Sequence, residues 1–363
     1  MAYYQKRGKG WQARISWVDS QGNRHTKSKS GFQTKTAAKK WAVDNEAKLN
    51  QGVAIDKSIT LVKYYVDWVK TYKKDKIADS TMRLYDLTES QLKEHFPDVD
   101  IKKVTRTQYQ QFINEYGADH APESVKKLNS AVRACVKSAI LDDYLIKDFT
   151  QGVSLTANKD KEVKVDYLNM EEIQQLIHAS QDGITNRRYT SRYMILTAVY
   201  TGMRLSEIQA LTWNDIDFIH HTIDINKSWN AKKKSFKPTK NKSSKRIIKI
   251  NSKLTKLLQQ LQVGSQSNMV FMNVFGDIPT SNAVNKTLKS LLKGLDIHRK
   301  GFHFHSLRHS HVALLLAHGV DLYAISKRLG HSSTATTSKI YAYLIDEYRD
   351  KTDQQIVNVL DNI

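Results

Sequence analysis

The chain opens on a two-residue rhythm. Trp11, Ala13, Ile15 and Trp17 alternate with Gln12, Arg14 and Ser16, the period of a strand that buries one face. Residues 19–23 read as a turn and Arg24 to Ser30 as a polar, basic strand. Thr34 or Thr36 then caps a helix reaching about Asn50. The expectation is a small three-stranded sheet backed by one helix, over residues 1–57. From about Ser58 the period becomes helical: Leu61, Tyr65, Trp68 and Tyr72 share one stripe, and Leu84, Leu87, Gln91 and His95 a looser one. Further helices are expected at 105–116 and 122–142, making an all-α domain over residues 58–155. The aromatic stripe is read as core rather than as a platform for stacking bases. Polar, charged Thr156 to Val163 reads as a linker. The remainder, residues 164–363, mixes helices with strands at 222–228 and 246–250, separated by a lysine-rich hairpin. The fold class is multidomain α+β, its last domain mixed α/β.

Charge changes the picture. Fifty-seven Lys and Arg against 36 Asp and Glu leave a formal net charge of +21, which a compact fold tolerates best beside a polyanion. Nucleic acid is the leading partner, an anionic membrane surface the weaker one. No apolar run approaches the ~20 residues of a membrane span, and the N-terminal stretch lacks the apolar core of a signal peptide. One cysteine, Cys135, leaves no disulfide framework and no Cys-x-x-Cys zinc site, and within a helix it reads as a small buried apolar group. A reducing cytoplasm, with association to the nucleoid, is the expected setting. Strands can enter the major groove, so Arg14, Arg24, Lys27 and Lys29, assigned to the open face of the first sheet, are candidate DNA contacts. Lys63, Lys70, Lys73, Lys74 and Arg83 would suit phosphates, which position a protein without specifying sequence.

Candidate chemistry lies in four stretches of the last domain. In Thr201-Gly-Met-Arg-Leu-Ser-Glu207, Gly202 breaks one helix and Arg204 and Glu207 share a face of the next, which alone would be an ordinary surface ion pair. Lys237 to Arg246 is a basic hairpin. In His303-Phe-His-Ser-Leu-Arg-His-Ser-His311, His305 and Arg308 stand one turn apart and face a common point. His305 and His309 lack a third ligand at a metal-site spacing, so no metal is expected. Gly330 fits the stop of a helix at 322–329, leaving His331 to project, and Tyr341 follows on the next helix. The stretch around residues 324–331 also has the look of a helix-turn-helix.

Taken together, Thr201-Gly-Met-Arg-Leu-Ser-Glu207, His305-Ser-Leu-Arg308-His and Leu329-Gly-His331 with Tyr341 resemble the three signature boxes of the tyrosine recombinases (phage integrases), in the family's order, and Thr239-Lys-Asn241 resembles its catalytic lysine hairpin. The two upstream domains resemble the arm-binding and core-binding domains of lambda-type integrases. Many members carry His two residues after the nucleophile; here that position is Tyr343, so Tyr343 and Tyr348 are minor candidates. The resemblance implies a site-specific recombinase of a temperate phage or integrative element. Arg204 and Arg308 would clamp the non-bridging oxygens of a DNA phosphodiester, in place of a metal. Tyr341 would attack with His305 as general base, His331 would bond the phosphate, Lys240 would protonate the departing 5′ oxygen, and Glu207 would orient the site. The 3′-phosphotyrosyl bond retains the energy for rejoining, so no cofactor is expected. The implied partners are core-type and arm-type double-stranded DNA and three further copies of the chain, with host DNA-bending and excision factors as additional partners the family admits. A tail face of Ile356, Val357 and Leu360 would pack on its own domain or a neighbour. Two other readings share some features: a DNA-binding regulator, which would have lost a catalytic residue, and a type IB topoisomerase, which needs no second class of DNA site.

Overall fold

The protein is described here by a computed structural model that covers residues 2–18, 22, 24–50, 58–162, 166–182, 184, 188–335, 337, 338, 341, 357, 360 and 361. The chain divides into two compact units, Met1–Val163 and Lys164–Ile363.

The first unit begins with an antiparallel sheet of β1 (Tyr3–Arg7), β2 (Gly10–Val18) and β3 (Arg24–Phe32), in that order. Ala13 and Ile15 are fully buried against Ala38 and Ala42 of α1 (Lys35–Asn50), as the alternation requires. Of the two candidate caps, Thr34 accepts the Ala37 N–H at 3.1 Å. The register corrects one expectation. Arg14 pairs with Ser28 and Val18 with Arg24, so Arg14 and Arg24 share the open face. Lys29 and Lys27 stand opposite Ala13 and Ile15, which places them on the helix-backed side, Lys29 reaching over the Phe32 ring. A one-residue difference in strand register exchanges the two faces.

Four helices follow: α2 (Leu61–Tyr72), α3 (Asp79–His95), α4 (Arg106–Ala118) and α5 (Pro122–Leu141). Tyr65, Trp68, Phe112, Val132 and Cys135 lie in their common core, and Trp68 donates its ring N–H to Ser138 at 2.9 Å. The aromatic stripe is core up to Trp68, whereas Tyr72 remains 47% exposed. Lys73 stands over the Trp68 ring and Lys63 pairs with Asp67. The described part of the expected linker, residues 156–162, is strapped to α4 together with Ser154 just before it. Gln110 brackets Ser154 through both backbone groups at 2.8 and 2.9 Å, and Asn158 donates its N–H to the Gly117 carbonyl at 2.9 Å. A side chain at 117 would begin 2.0 Å from the Thr156 carbonyl oxygen, so only glycine admits the strap.

The second unit is built around α7 (Ser191–Thr201), whose residues are buried on nearly every side, as befits a helix apolar all round. Packed on it are α6 (Met170–Gln181), α9 (Ser252–Gln262), α10 (Ser281–Gly294) and α11 (Ser306–Ala317). The strand expected at 222–228 is two: β5 (Thr222–Ile225) lies between β4 (Ile216–Asp217) and β8 (Arg246–Lys249), while β6 (Lys227–Asn230) pairs only with β7 (Ser235–Pro238). The short α8 (Leu205–Ile208) and α12 (Leu322–Leu329) complete the frame of the site.

Candidate active site

Two helix ends bring the first elements together. α7 stops at Gly202 (φ +66°) and α12 at Gly330 (φ +70°), both left-handed caps that glycine adopts without a Cβ clash. Gly202 has a second reason to be glycine: a Cβ there would lie 2.7 Å from the His311 ring and 2.9 Å from Leu329. The backbone therefore turns sharply into Arg204, which precedes α8, and into His331.

Helix ends leave carbonyls without partners, and here arginines meet them. Arg308, 2% exposed, donates to the Gly202 carbonyl at 2.7 Å and to the Leu329 carbonyl at 2.6 Å. Arg328 donates to the Tyr200 carbonyl at 3.1 Å and to His311 Nε2 at 3.2 Å, while His311 Nδ1 donates to the Val199 carbonyl at 2.9 Å. Burial, then Arg328, hold His311 down to about 3, so it is a neutral brace. Arg308 likewise has its proton affinity lowered, to about 9, by burial and then by Arg204.

Glu207, 3% exposed, lies between two guanidiniums. Arg204 Nη1 meets it at 2.7 Å, Arg246 Nη2 at 3.1 Å, and the Arg204 N–H at 3.0 Å. Burial pushes its carboxyl up, but Arg246 and then Arg204 outweigh it and hold the pKa below the usual range. Arg204 keeps part of its side chain open to solvent, the posture of a group that can still receive an anion. Arg246 was not visible as a site residue in the sequence, where it reads as the last cation of a basic run.

Three imidazoles surround these cations. His331 Nδ1 lies 2.6 Å from the Thr337 hydroxyl, which leaves Nε2 for a ligand. His309 Nδ1 lies 2.7 Å from the hydroxyl of Tyr341, and the His305 ring stands edge-on to His309 at 5.2 Å. With its own proton on Nε2, His309 accepts from the phenol. Burial, then Arg308, lower His309 and His331 to about 4. Burial, then His309 and Arg308, likewise lower His305 to about 4. Tyr341 is 1% exposed, packed among Val312, Ala313, Ile325 and Leu329.

The arrangement thus gathers Arg204, Glu207, His305, Arg308, His331 and Tyr341, and adds Arg246 and His309. Lys240 is not drawn in: it lies exposed on the turn after β7, with no hydrogen bond or ion pair among the described residues. Tyr343 and Tyr348, the minor candidates, and Ile356 fall outside the described residues; Val357 and Leu360 are 46% and 62% exposed. Among the described residues no three His, Cys, Asp or Glu are grouped to hold a metal ion, and no helix is long and apolar enough to cross a membrane. A cluster of fork-shaped cations with neutral imidazoles suits an anion whose charge grows during reaction, as at a phosphodiester under attack.

Residues 166–347 match the phage integrase family and residues 1–49 an arm DNA-binding domain. The integrase of Staphylococcus phage L54a is 27% identical over 288 residues, spanning 70% of this chain and 80% of its own. The ICEBs1 integrase of Bacillus subtilis strain 168 is 28% identical over 283 residues, spanning 72% and 74%. Among solved structures, the Tn1549 transposon integrase in complex with a circular intermediate DNA has a similar fold, with a TM-score of 0.69 at 19% identity, over 82% of this chain and 100% of that one. The boxes carrying Arg204, Arg308 and Tyr341 all lie within the matched stretch, and the chain belongs to the phage integrase family of tyrosine recombinases, the site-specific DNA recombinases.

Proposed function

We propose that this recombinase cuts DNA by attack of the Tyr341 phenol oxygen on a phosphodiester held by Arg204 and Arg308, giving a 3′-phosphotyrosyl bond and a free 5′ hydroxyl. The observation that carries the reading is the 2.7 Å contact between Tyr341 and His309, which puts the phenol beside the residue that follows Arg308. The resemblance assigns the general base to His305, but His309 touches the phenol and is the better-supported acceptor of its proton. His305 then serves the phosphate oxygens together with His331. Lys240 protonates the departing 5′ oxygen, its flexible side chain carrying the ammonium over the site from the turn after β7. Glu207 holds Arg204 in line. The transferred bond exchanges one phosphodiester for another, so the reverse attack by a 5′ hydroxyl needs no external energy.

The arm-like sheet engages a second class of DNA site through Arg14 and Arg24, and the helical domain flanks the core site, consistent with integration and excision of a mobile element. Exchange between two duplexes breaks four strands, and with one nucleophile per chain it calls for four copies. The basic chain is expected to work in the bacterial cytoplasm on the nucleoid, with host DNA-bending and excision factors as additional partners. In the full chain, Tyr341→Phe should still bind a nicked core-site duplex and form no covalent complex on it. Persistent covalent trapping by that variant would remove Tyr341 as nucleophile.

A further inference from the structure

We infer that Arg246 is a positioning residue that fixes the turn bearing Lys240 to the floor of the site; this rests on the assignment of Lys240 as general acid made above. The Arg246 side chain is 7% exposed and its donors serve three separate segments. It meets both Glu207 oxygens at 3.1 and 3.4 Å, the Arg328 carbonyl at 2.6 Å and the Ser244 carbonyl at 2.9 Å. The first two contacts immobilise the guanidinium, and the third passes that order to the turn.

From Ser244 the bonding continues toward Lys240. The Ser244 N–H donates to Asn241 Oδ1 at 2.9 Å, an oxygen that also accepts the Ser243 hydroxyl at 3.0 Å. The Asn241 carbonyl accepts the Thr239 hydroxyl at 3.1 Å. Both chain neighbours of Lys240 therefore hang from a network anchored at Arg246. Gly330 closes the other side: a Cβ there would lie 3.0 Å from Arg246 Nη1 and 3.0 Å from the Ser243 carbonyl oxygen. A lysine on a flexible four-carbon stem finds a leaving oxygen efficiently only if its Cα is held. Loosening the turn should impair leaving-group protonation and spare the clamp on the non-bridging oxygens.

The test uses the full chain and two nicked core-site strands, one natural and one with sulfur replacing the 5′ bridging oxygen. On the sulfur strand the Tyr341 O–P bond forms as the P–S bond breaks, and the thiolate leaves without needing a proton. Arg246→Lys keeps a cation beside Glu207 but cannot reproduce the fork; Asn241→Ala breaks the same chain at an exposed residue and carries the test should the first variant fail to fold. Lys240→Ala is the reference. The expected result is about 10²-fold slower cleavage of the oxygen strand by all three, recovering to within about tenfold of the unmodified protein on the sulfur strand. Rescue of Lys240→Ala without rescue of the other two overturns the role of Arg246. Failure to rescue Lys240→Ala itself overturns the reading of Lys240 as general acid instead.

Discussion

Replacing Arg308 by glutamine tests whether the site holds its cation for chemistry or for the fold. Burial and Arg204 lower the Arg308 pKa well below the usual guanidinium range, to about 9, and at about 1.36 kcal/mol per pH unit the buried charge costs several kcal/mol. Against this stand the bonds to the Gly202 and Leu329 carbonyls at 2.7 and 2.6 Å, worth about 1.5–3 kcal/mol each for a charged donor. The two sides nearly cancel. Glutamine keeps one amide donor for a carbonyl and removes the charge, so melting followed by circular dichroism should shift by no more than about 5 °C. Single-turnover cleavage of a nicked strand should fall by at least about 10³-fold, because the lost donor faces charge that develops in the transition state. A lowered native pKa means the unfolded chain holds the extra proton from pH 9 up to the usual guanidinium range, so the penalty is present in full at pH 7. A large drop in melting temperature, with cleavage reduced only as far as the folded fraction falls, would refute the reasoning and make Arg308 a structural strut.

Two further outcomes follow from the geometry. His305, His309 and His331 are held at about 4 and His311 at about 3, against an ordinary 6.5, so the unfolded chain takes up protons that the native site refuses. The second unit should lose stability as pH falls from 7 toward 4; a melting temperature that is flat or rises over that interval would contradict it. In the first sheet, Arg14→Ala with Arg24→Ala should weaken binding to arm-type DNA and reduce the slope of log affinity against log salt by about 2, whereas Lys27→Ala with Lys29→Ala should change it by less than half as much. Titrations at several salt concentrations check this, and the reverse order would sink the register argument.

The boxes were legible because their residue types are the chemistry: Arg204, Arg308, His331 and Tyr341 have few other reasons to recur in that order. What stayed hidden depended on distance in space. Arg246 looks like one more cation after Lys245, and only folding brings Glu207 and the end of α12 to it. Among five donors between residues 303 and 311, nothing in the spacing tells which ring meets the phenol. Alternation alone puts Arg24 on the face opposite Lys27 and Lys29, and how β3 registers on β2 decides which of them face the helix. The strap on α4 was invisible because its polar composition resembles a linker, while the feature that binds it is a missing side chain at Gly117.

Tyr341, sealed at 1% exposure, carries a consequence of its own. A phenol walled in by Val312, Ile325 and Leu329 is out of reach of the phosphates of any duplex the protein meets in passing. A basic chain that scans DNA by charge touches many such phosphates, and an open nucleophile would nick them indiscriminately. For the nucleophile proposed above, the apolar walls must open while the phenol stays beside His309, a cost that correct assembly on a proper site can offset from binding. With Tyr341 as the proposed nucleophile, this burial would let tight binding and harmlessness coexist in one molecule.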